Sequence, residues 1–228
     1  VKILALETTD PIGTVAAMED GNLLLELELN RQQRTAQSLA PAIKTLLQHV
    51  AWNPDDLQLV AMTIGPGSFT GLRIGATMAK TLAYATGADV LGLDTLETIA
   101  QAVPENISQL TVLIDAQRGD IVTRSFRRDS EGWLVATSNQ QLISIDRWLQ
   151  ELPPGMVVAG PVLGKLISRL PAHVTVLDQK YWSPRAATVA HLAHRQYSAG
   201  RRDDLWKLAP HYTRLSAAEE KWEAKKRG

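Results

Sequence analysis

The chain reads as an α/β protein made of two related halves. Apolar strands and amphipathic helices alternate along most of its length, and a Pro104-Glu105-Asn106 break falls near the middle. The pattern that opens the chain then returns just after the break. Each half begins with an apolar strand ending in a carboxylate, Glu7 in one and Asp115 in the other, followed by a turn containing glycine (Gly13, Gly119) and a second strand. The expected division is residues 1–104 and 105–228.

In the first half, Lys2 to Glu7, Thr14 to Met18 and Leu23 to Leu29 alternate with short polar turns, which predicts an antiparallel meander. Leu39, Ile43, Leu46, Leu47 and Val50 recur at helical spacing and give one apolar stripe on a helix from about Thr35 to Val50. Pro41 lies inside that pattern, so the helix is expected to start late or to kink. Leu57 to Ile64 is a buried-strand run closed by Gly65-Pro66-Gly67; Ser68 then caps a helix reaching about Ala85 and stopped by Gly87. Val90 to Leu93 is a strand, and Asp94 or Thr95 caps a helix to about Val103. In the second half, Leu110 to Ile114 and Ile121 to Phe126 form a hairpin. A strand at Met156 to Ala159, a helix at Val162 to Leu170, a strand at Val174 to Leu177 and a helix at Pro184 to Tyr197 follow. The Ala-, Glu- and Lys-rich tail from Ser216 is expected to be a short helix, fraying or returning to the first lobe.

Composition excludes several function classes. Lysine plus arginine (24) equals aspartate plus glutamate (24), so no net field draws in nucleic acid or an anionic membrane. There is no cysteine, which removes disulfides, thiolate metal sites and a thiol nucleophile and fits a reducing, cytoplasmic compartment. The apolar start, Val1 to Leu6, is too short for a signal-peptide core, and no segment offers the roughly 18 apolar residues of a membrane span.

The densest local signal is Gly65-Pro66-Gly67-Ser68-Phe69-Thr70-Gly71-Leu72-Arg73-Ile74-Gly75. A glycine turn running into a helix N-terminus exposes free N–H groups at the positive end of the helix dipole, so it is either an anion site or a tight turn without ligand. It lacks the Lys-Ser/Thr ending of a Walker loop, and Gly67-Ser68-Phe69 is not a nucleophile elbow. Within the same helix Gly67, Gly71, Gly75, Ala79 and Ala83 follow at intervals of four, making one smooth side. Each interior glycine costs about 0.5 to 1 kcal/mol relative to alanine, so a close backbone contact is expected to compensate. That contact is either with a neighbouring element of this chain or, as the sharper expectation, with a second protein assisted by the Arg34 to Val50 helix. Glu7, Thr8 and Asp115 are either magnesium or phosphate contacts or turn-forming groups. His191 and His194 share a helical face with no carboxylate cluster beside them, so a surface or core contact outweighs a metal pair. The six tryptophans are scattered like core and interface fillers.

Taken together, Ile3-Leu4-Ala5-Leu6-Glu7-Thr8-Thr9, the Gly65 to Gly75 motif, Ile114-Asp115-Ala116-Gln117-Arg118-Gly119-Asp120 and Pro210-His211-Tyr212-Thr213-Arg214 resemble the bacterial TsaB (YeaZ) family over nearly the whole chain. The resemblance implies the actin-like ATPase (ASKHA) fold, with two related lobes of mixed sheet flanked by helices. It implies a subunit that pairs with the related catalytic protein TsaD and with the ATPase TsaE. Together these transfer a threonylcarbamoyl group, from threonylcarbamoyl-AMP made elsewhere, to adenosine 37 of tRNA. ATP is then used by the assembly and not held tightly by this chain, tRNA is met indirectly, and a homodimer through the smooth helix side is compatible with the free protein.

The catalytic relative carries two metal-binding histidines four apart at the start of the helix after the fifth strand; Asp94 and Thr98 occupy those places here, which implies no metal site and no catalysis. The expected partner interface is Arg34, Leu39, Ile43, Gly71, Arg73, Gly75, Ala79 and Ala83. The expected nucleotide or anion contacts are Glu7, Thr8, Gly65, Gly67, Ser68 and Asp115. Two residues depart from the family pattern: Glu7 stands where aspartate is commoner, and Arg34 where many relatives have histidine. The rival readings are a small-molecule kinase of the same fold using Glu7 or Asp115 around magnesium-ATP, and an inactive metallopeptidase-like protein.

Overall fold

The computed structural model describes residues 1–213. The expected helix from Ser216 lies outside the described residues. Strands β1 (Lys2–Glu7), β2 (Thr14–Glu19) and β3 (Asn22–Glu28) form the antiparallel meander. Helix α1 (Thr35–His49), strand β4 (Leu59–Gly65), helix α2 (Phe69–Thr86), strand β5 (Asp89–Asp94) and helix α3 (Thr95–Gln101) follow. The first sheet has the order β3-β2-β1-β4-β5, with β4 and β5 parallel to β1, pairing Ala5 with Ala61 and Ala61 with Leu91.

The second sheet repeats this plan. Strands β6 (Gln109–Asp115) and β7 (Asp120–Arg128) form a hairpin, flanked by the short β8 (Leu134–Ala136) and β9 (Gln141–Ser144). After helix α4 (Ile145–Gln150), β10 (Val157–Ala159) adds parallel to β6 and, beyond helix α5 (Leu163–Leu166), β11 (Thr175–Val176) adds parallel to β10. Helix α6 (Ala186–Ser198) ends the regular structure. The order β11-β10-β6-β7-β8 mirrors that of the first sheet, so the repeat seen in the opening strands extends to both halves. The expected Val162 to Leu170 helix is shorter: α5 gives way to a 3-10 turn at Ile167–Arg169. α6 begins two residues beyond Pro184, with Arg185 in an extended conformation before it. β8, β9 and α4 were not legible in the sequence, being short and mostly solvent-facing.

Helix α1 runs unbroken through Pro41. Proline removes one N–H and frees the carbonyl four residues earlier, here on Gln37. Both residues are exposed, so water satisfies what the helix cannot.

Each face of the first sheet has its own cover. Leu4, Leu6, Val15, Ala17 and Met62 pack under Leu39, Ile43 and Leu46 of α1 and Ala76, Ala79 and Ala83 of α2. The alternate residues Ile3, Ala5, Ala16, Met18 and Leu91 pack on Ala186, Val189, Ala190 and Ala193 of α6. This corrects the division at Pro104. α6, expected in the second lobe, covers the first sheet, while Leu96, Ile99 and Ala100 of α3, expected in the first lobe, belong to the core of the second with Val112, Leu113 and Val158. An apolar stripe fixes which side of a helix is buried but not which of two similar sheets receives it.

The smooth side of α2 also needs correction. Gly71, Gly75, Ala79 and Ala83 are buried within this chain, as are Leu39 and Ile43 of α1. A Cβ on Gly71 would overlap the Thr8 carbonyl, and one on Gly75 would overlap the Thr8 hydroxyl. The missing side chains therefore admit the turn after β1 and not a foreign helix, and only Arg34 and Arg73 of the expected interface residues are exposed. Gly71→Ala, adding one methyl against backbone, is expected to lower the stability of the isolated chain by about 3 kcal/mol. A urea unfolding midpoint unchanged by this substitution would contradict the packing.

Candidate functional site: the cleft between the lobes

A cleft of about 870 Å³ opens between the two sheets. Its first-lobe wall is the turn after β1 and the start of α2; its second-lobe wall is the turn after β6 and the start of α5. Both turns follow the first strand of their lobe, so the internal repeat sets two equivalent loops face to face.

On the first wall the chain is sutured tightly. The Thr8 hydroxyl donates to the Gly71 carbonyl at 2.8 Å, and the Ser68 N–H donates to the Thr9 carbonyl at 3.2 Å. Gly67, with φ +154°, lies so close to Thr9 that a Cβ would stand 2.5 Å from that residue's own Cβ. Ser68 caps α2 by accepting from the Gly71 N–H at 3.2 Å, and Gly87 ends the helix in a left-handed conformation, φ 74°. Both helix ends follow the sequence expectation.

On the second wall Asp115 accepts from the Gln117 N–H at 2.8 Å and pairs with the Lys165 ammonium at 2.6 Å. Gln117 and Arg118 both adopt positive φ, 66° and 56°, in the tight turn that leads into β7.

Thr8, Gly67, Ser68 and Asp115 thus line the cleft as expected nucleotide or anion contacts would, whereas Glu7 and Gly65 do not. Gly65 is buried under the His211 carbonyl, and Glu7 is fully buried behind Thr8 and Thr9. One Glu7 oxygen accepts from the Thr9 N–H at 2.6 Å and from the Thr9 hydroxyl, with the Thr63 hydroxyl at 3.5 Å; the other has no partner. Burial pushes this carboxyl up to about 7, only partly opposed by the Thr9 hydrogen bonds, and the charge of Asp10 pushes the same way. Asp10, at the cleft wall, is also raised by burial, against the pull of Ser183, Ile12 N–H and Arg185.

The sequence reading gave no role to Lys165, His211 or Tyr212, which also line the cleft. A lone lysine carries no local signal. His211 and Tyr212 arrive through a strap, residues 201–213, that returns along β5 and α2. Asp203 accepts from the Gly92 N–H at 2.9 Å, Leu208 enters the first-lobe core, and Lys80 donates to the Trp206 and Leu208 carbonyls at 3.3 and 3.1 Å. At its end the His211 N–H donates to the Ile64 carbonyl at 2.7 Å, and Tyr212 packs on Phe69, ring centroids 4.6 Å apart.

Asp94 and Thr98, at the start of α3, are engaged mainly within that helix, with Asp94 also 3.8 Å from the Arg124 guanidinium. Asp94 caps the helix by accepting from the Glu97 N–H at 2.9 Å, and the Thr98 hydroxyl donates to the Asp94 carbonyl at 2.9 Å. Elsewhere, His194 packs its ring on the Gly21 turn, and no group of three or more His, Cys, Asp or Glu able to hold a metal ion occurs among the described residues. Nor is any described helix long and apolar enough to cross a membrane.

Two lobes on one plan, with a cleft between equivalent loops, define a protein of the actin-like ATPase fold. The same architecture is found in component A of the (R)-2-hydroxyglutaryl-CoA dehydratase of Acidaminococcus fermentans, with TM-score 0.50 and 10% identity over 87% of this chain and 99% of that one. YeaZ from Pseudomonas aeruginosa matches with TM-score 0.81 and 23% identity, covering 92% of this chain and 99% of that one. The family model described as TsaD, tRNA N6-adenosine threonylcarbamoyltransferase, matches residues 30–169. The tRNA threonylcarbamoyladenosine biosynthesis protein TsaB of Bacillus subtilis is 27% identical over 227 residues, 96% of this chain and 97% of the relative. The TsaB protein of Escherichia coli is 26% identical over 229 residues, 96% of each chain. The chain belongs to the TsaB (YeaZ) branch of this family.

The sealed carboxyl has a consequence for stability. Between its ordinary value of 4.5 and about 7, the folded protein keeps a Glu7 proton that the unfolded chain has lost. This contribution is fully present below pH 4.5 and is lost as pH rises through 7, to a total of about 3 kcal/mol. Glu7→Gln lacks it, so the stability of the variant relative to the parent should rise between pH 5 and pH 8. A difference in urea midpoints that stays constant over that range would show Glu7 to be charged in the folded protein.

Proposed function

We propose that this chain is the non-catalytic subunit of a cytoplasmic assembly, in which it pairs with a TsaD homologue, and with TsaE, to support threonylcarbamoyl transfer to adenosine 37 of tRNA. The single observation that carries this reading is the use made of Asp94 and Thr98. At the place where the catalytic relative keeps a metal-binding pair, Asp94 caps α3 and the Thr98 hydroxyl donates back to the Asp94 carbonyl. The cleft fits the same reading, since Glu7 is sealed and Asp115 is held by Lys165. ATP is used by the assembly and is not held tightly by this chain alone.

Docking is assigned to the outward surfaces of α1 and α2, because the stripe of small residues is occupied by the turn after β1. Exposed small or short side chains (Ala36, Ala40, Thr70, Thr77 and Thr81) leave these surfaces low enough for another pair of helices to approach. Reconstitution with TsaD and TsaE homologues, threonylcarbamoyl-AMP and tRNA tests the reading. Modification should fall at least tenfold when this chain is omitted, and the chain alone should produce none. Equal modification without it would overturn the role.

A further inference from the structure

The two outward helices hold a charge imbalance that the whole chain lacks. Basic and acidic residues are equal in number overall, 24 and 24, yet no aspartate or glutamate occurs from Arg34 to His49 or from Ser68 to Gly87. Arg34, Lys44 and Arg73 are exposed on these two stretches, while Lys80 is turned aside to the strap carbonyls. Surface helices ordinarily mix both signs, which supports solubility and forms pairs along the helix. Two surface helices without a carboxylate of their own invite a partner that supplies them.

Arg73 joins that face to the cleft. Its guanidinium lies 4.1 Å from the Phe69 ring centroid and 6.0 Å from that of Tyr212, and its Nε donates to the Tyr212 hydroxyl at 3.3 Å. Phe69 and Tyr212 line the cleft mouth, so the residue that faces a docked partner also holds down the end of the strap. Among the described residues its contacts are aromatic and hydroxyl groups, with no carboxylate in salt-bridge range.

We propose that a protein partner with an acidic surface docks across α1 and α2, and that one of its carboxylates takes Arg73. In doing so it draws the guanidinium off Tyr212 and loosens the strap end, residues 209–213, at the cleft mouth. The inference rests on the docking reading given above and adds the charge of the partner and the route by which docking reaches the cleft. Coupling of this kind is reciprocal: whatever holds the strap down weakens docking, and docking frees the strap. A protein fits better than RNA because half-buried Ile74, Met78 and Leu82, four residues apart along α2, offer apolar contact that phosphates do not use.

The experiment combines calorimetric titration of a purified TsaD homologue with hydrogen exchange at the His211 amide. Arg73→Gln is expected to weaken binding about tenfold and to flatten its salt dependence. Arg73→Lys should recover part of the affinity, and Arg147→Gln, on α4 of the second lobe, should leave it within about twofold. In the saturated wild-type complex the His211 amide should exchange about fivefold faster than in the free chain, the change expected when one cation–π contact and its hydrogen bond are lost. A complex that forms with unchanged His211 exchange, or with unchanged affinity in Arg73→Gln, overturns this inference and leaves the docking reading standing. Failure of any complex to form overturns both. Displacement of the partner by tRNA, with tRNA binding lost in Arg73→Gln, would assign the face to nucleic acid and overturn the proposal.

Discussion

The first lobe depends on one contact, the seating of Thr8 against the first turns of α2. The Thr8 carbonyl and hydroxyl occupy the space that side chains at positions 71 and 75 would fill, and the hydroxyl is fixed to the Gly71 carbonyl. This draws the helix onto the end of β1 more closely than any residue with a Cβ permits. The rest of the wall follows. With α2 held there, its N-terminal turn stands at the cleft, Gly67 must pass against Thr9, and Ala79 and Ala83 come down on the sheet further along.

The same seating closes off Glu7. Its carboxyl lies behind the turn that Thr8 and Thr9 make, with one oxygen satisfied by Thr9 and the other unpartnered. In an exposed turn this carboxylate would be charged and available to a cation. Here burial raises the carboxyl to about 7, so the protonated form prevails below neutral pH. Across the cleft, Asp115 remains at the surface but is claimed by Lys165. The two carboxylates that the internal repeat makes equivalent have therefore taken different local roles, one sealed behind the wall and one paired at the cleft surface.

How much of this was legible varies residue by residue. The Ser68 cap and the Gly87 stop are legible because capping is a local matter of one side chain and the next few N–H groups. The strand–turn–strand opening of each half was equally clear, and from it the two-lobed plan. The glycines at 71 and 75 announced a close approach but not what approaches: the spacing is the same whether the visitor is another protein or a threonine sixty-odd positions earlier in the chain. Lys165 gave no signal, and Tyr212 only a family motif without a place in the fold, since their positions come from long-range pairing with Asp115 and with Phe69 and Arg73.

The sequence by itself determined the order of the longer elements, the ends of α2, the duplicated plan and, through its motifs, the family, because these depend on residues near one another in the chain or on patterns that descent preserves. Tertiary structure decided that α6 crosses to the first sheet and α3 joins the second core, that the smooth side of α2 is sealed, and that Glu7 is withdrawn from the cleft. The reason is physical. Periodicity states that a face must be covered, but many surfaces of similar shape and polarity satisfy that demand, and only the simultaneous packing of all of them selects one.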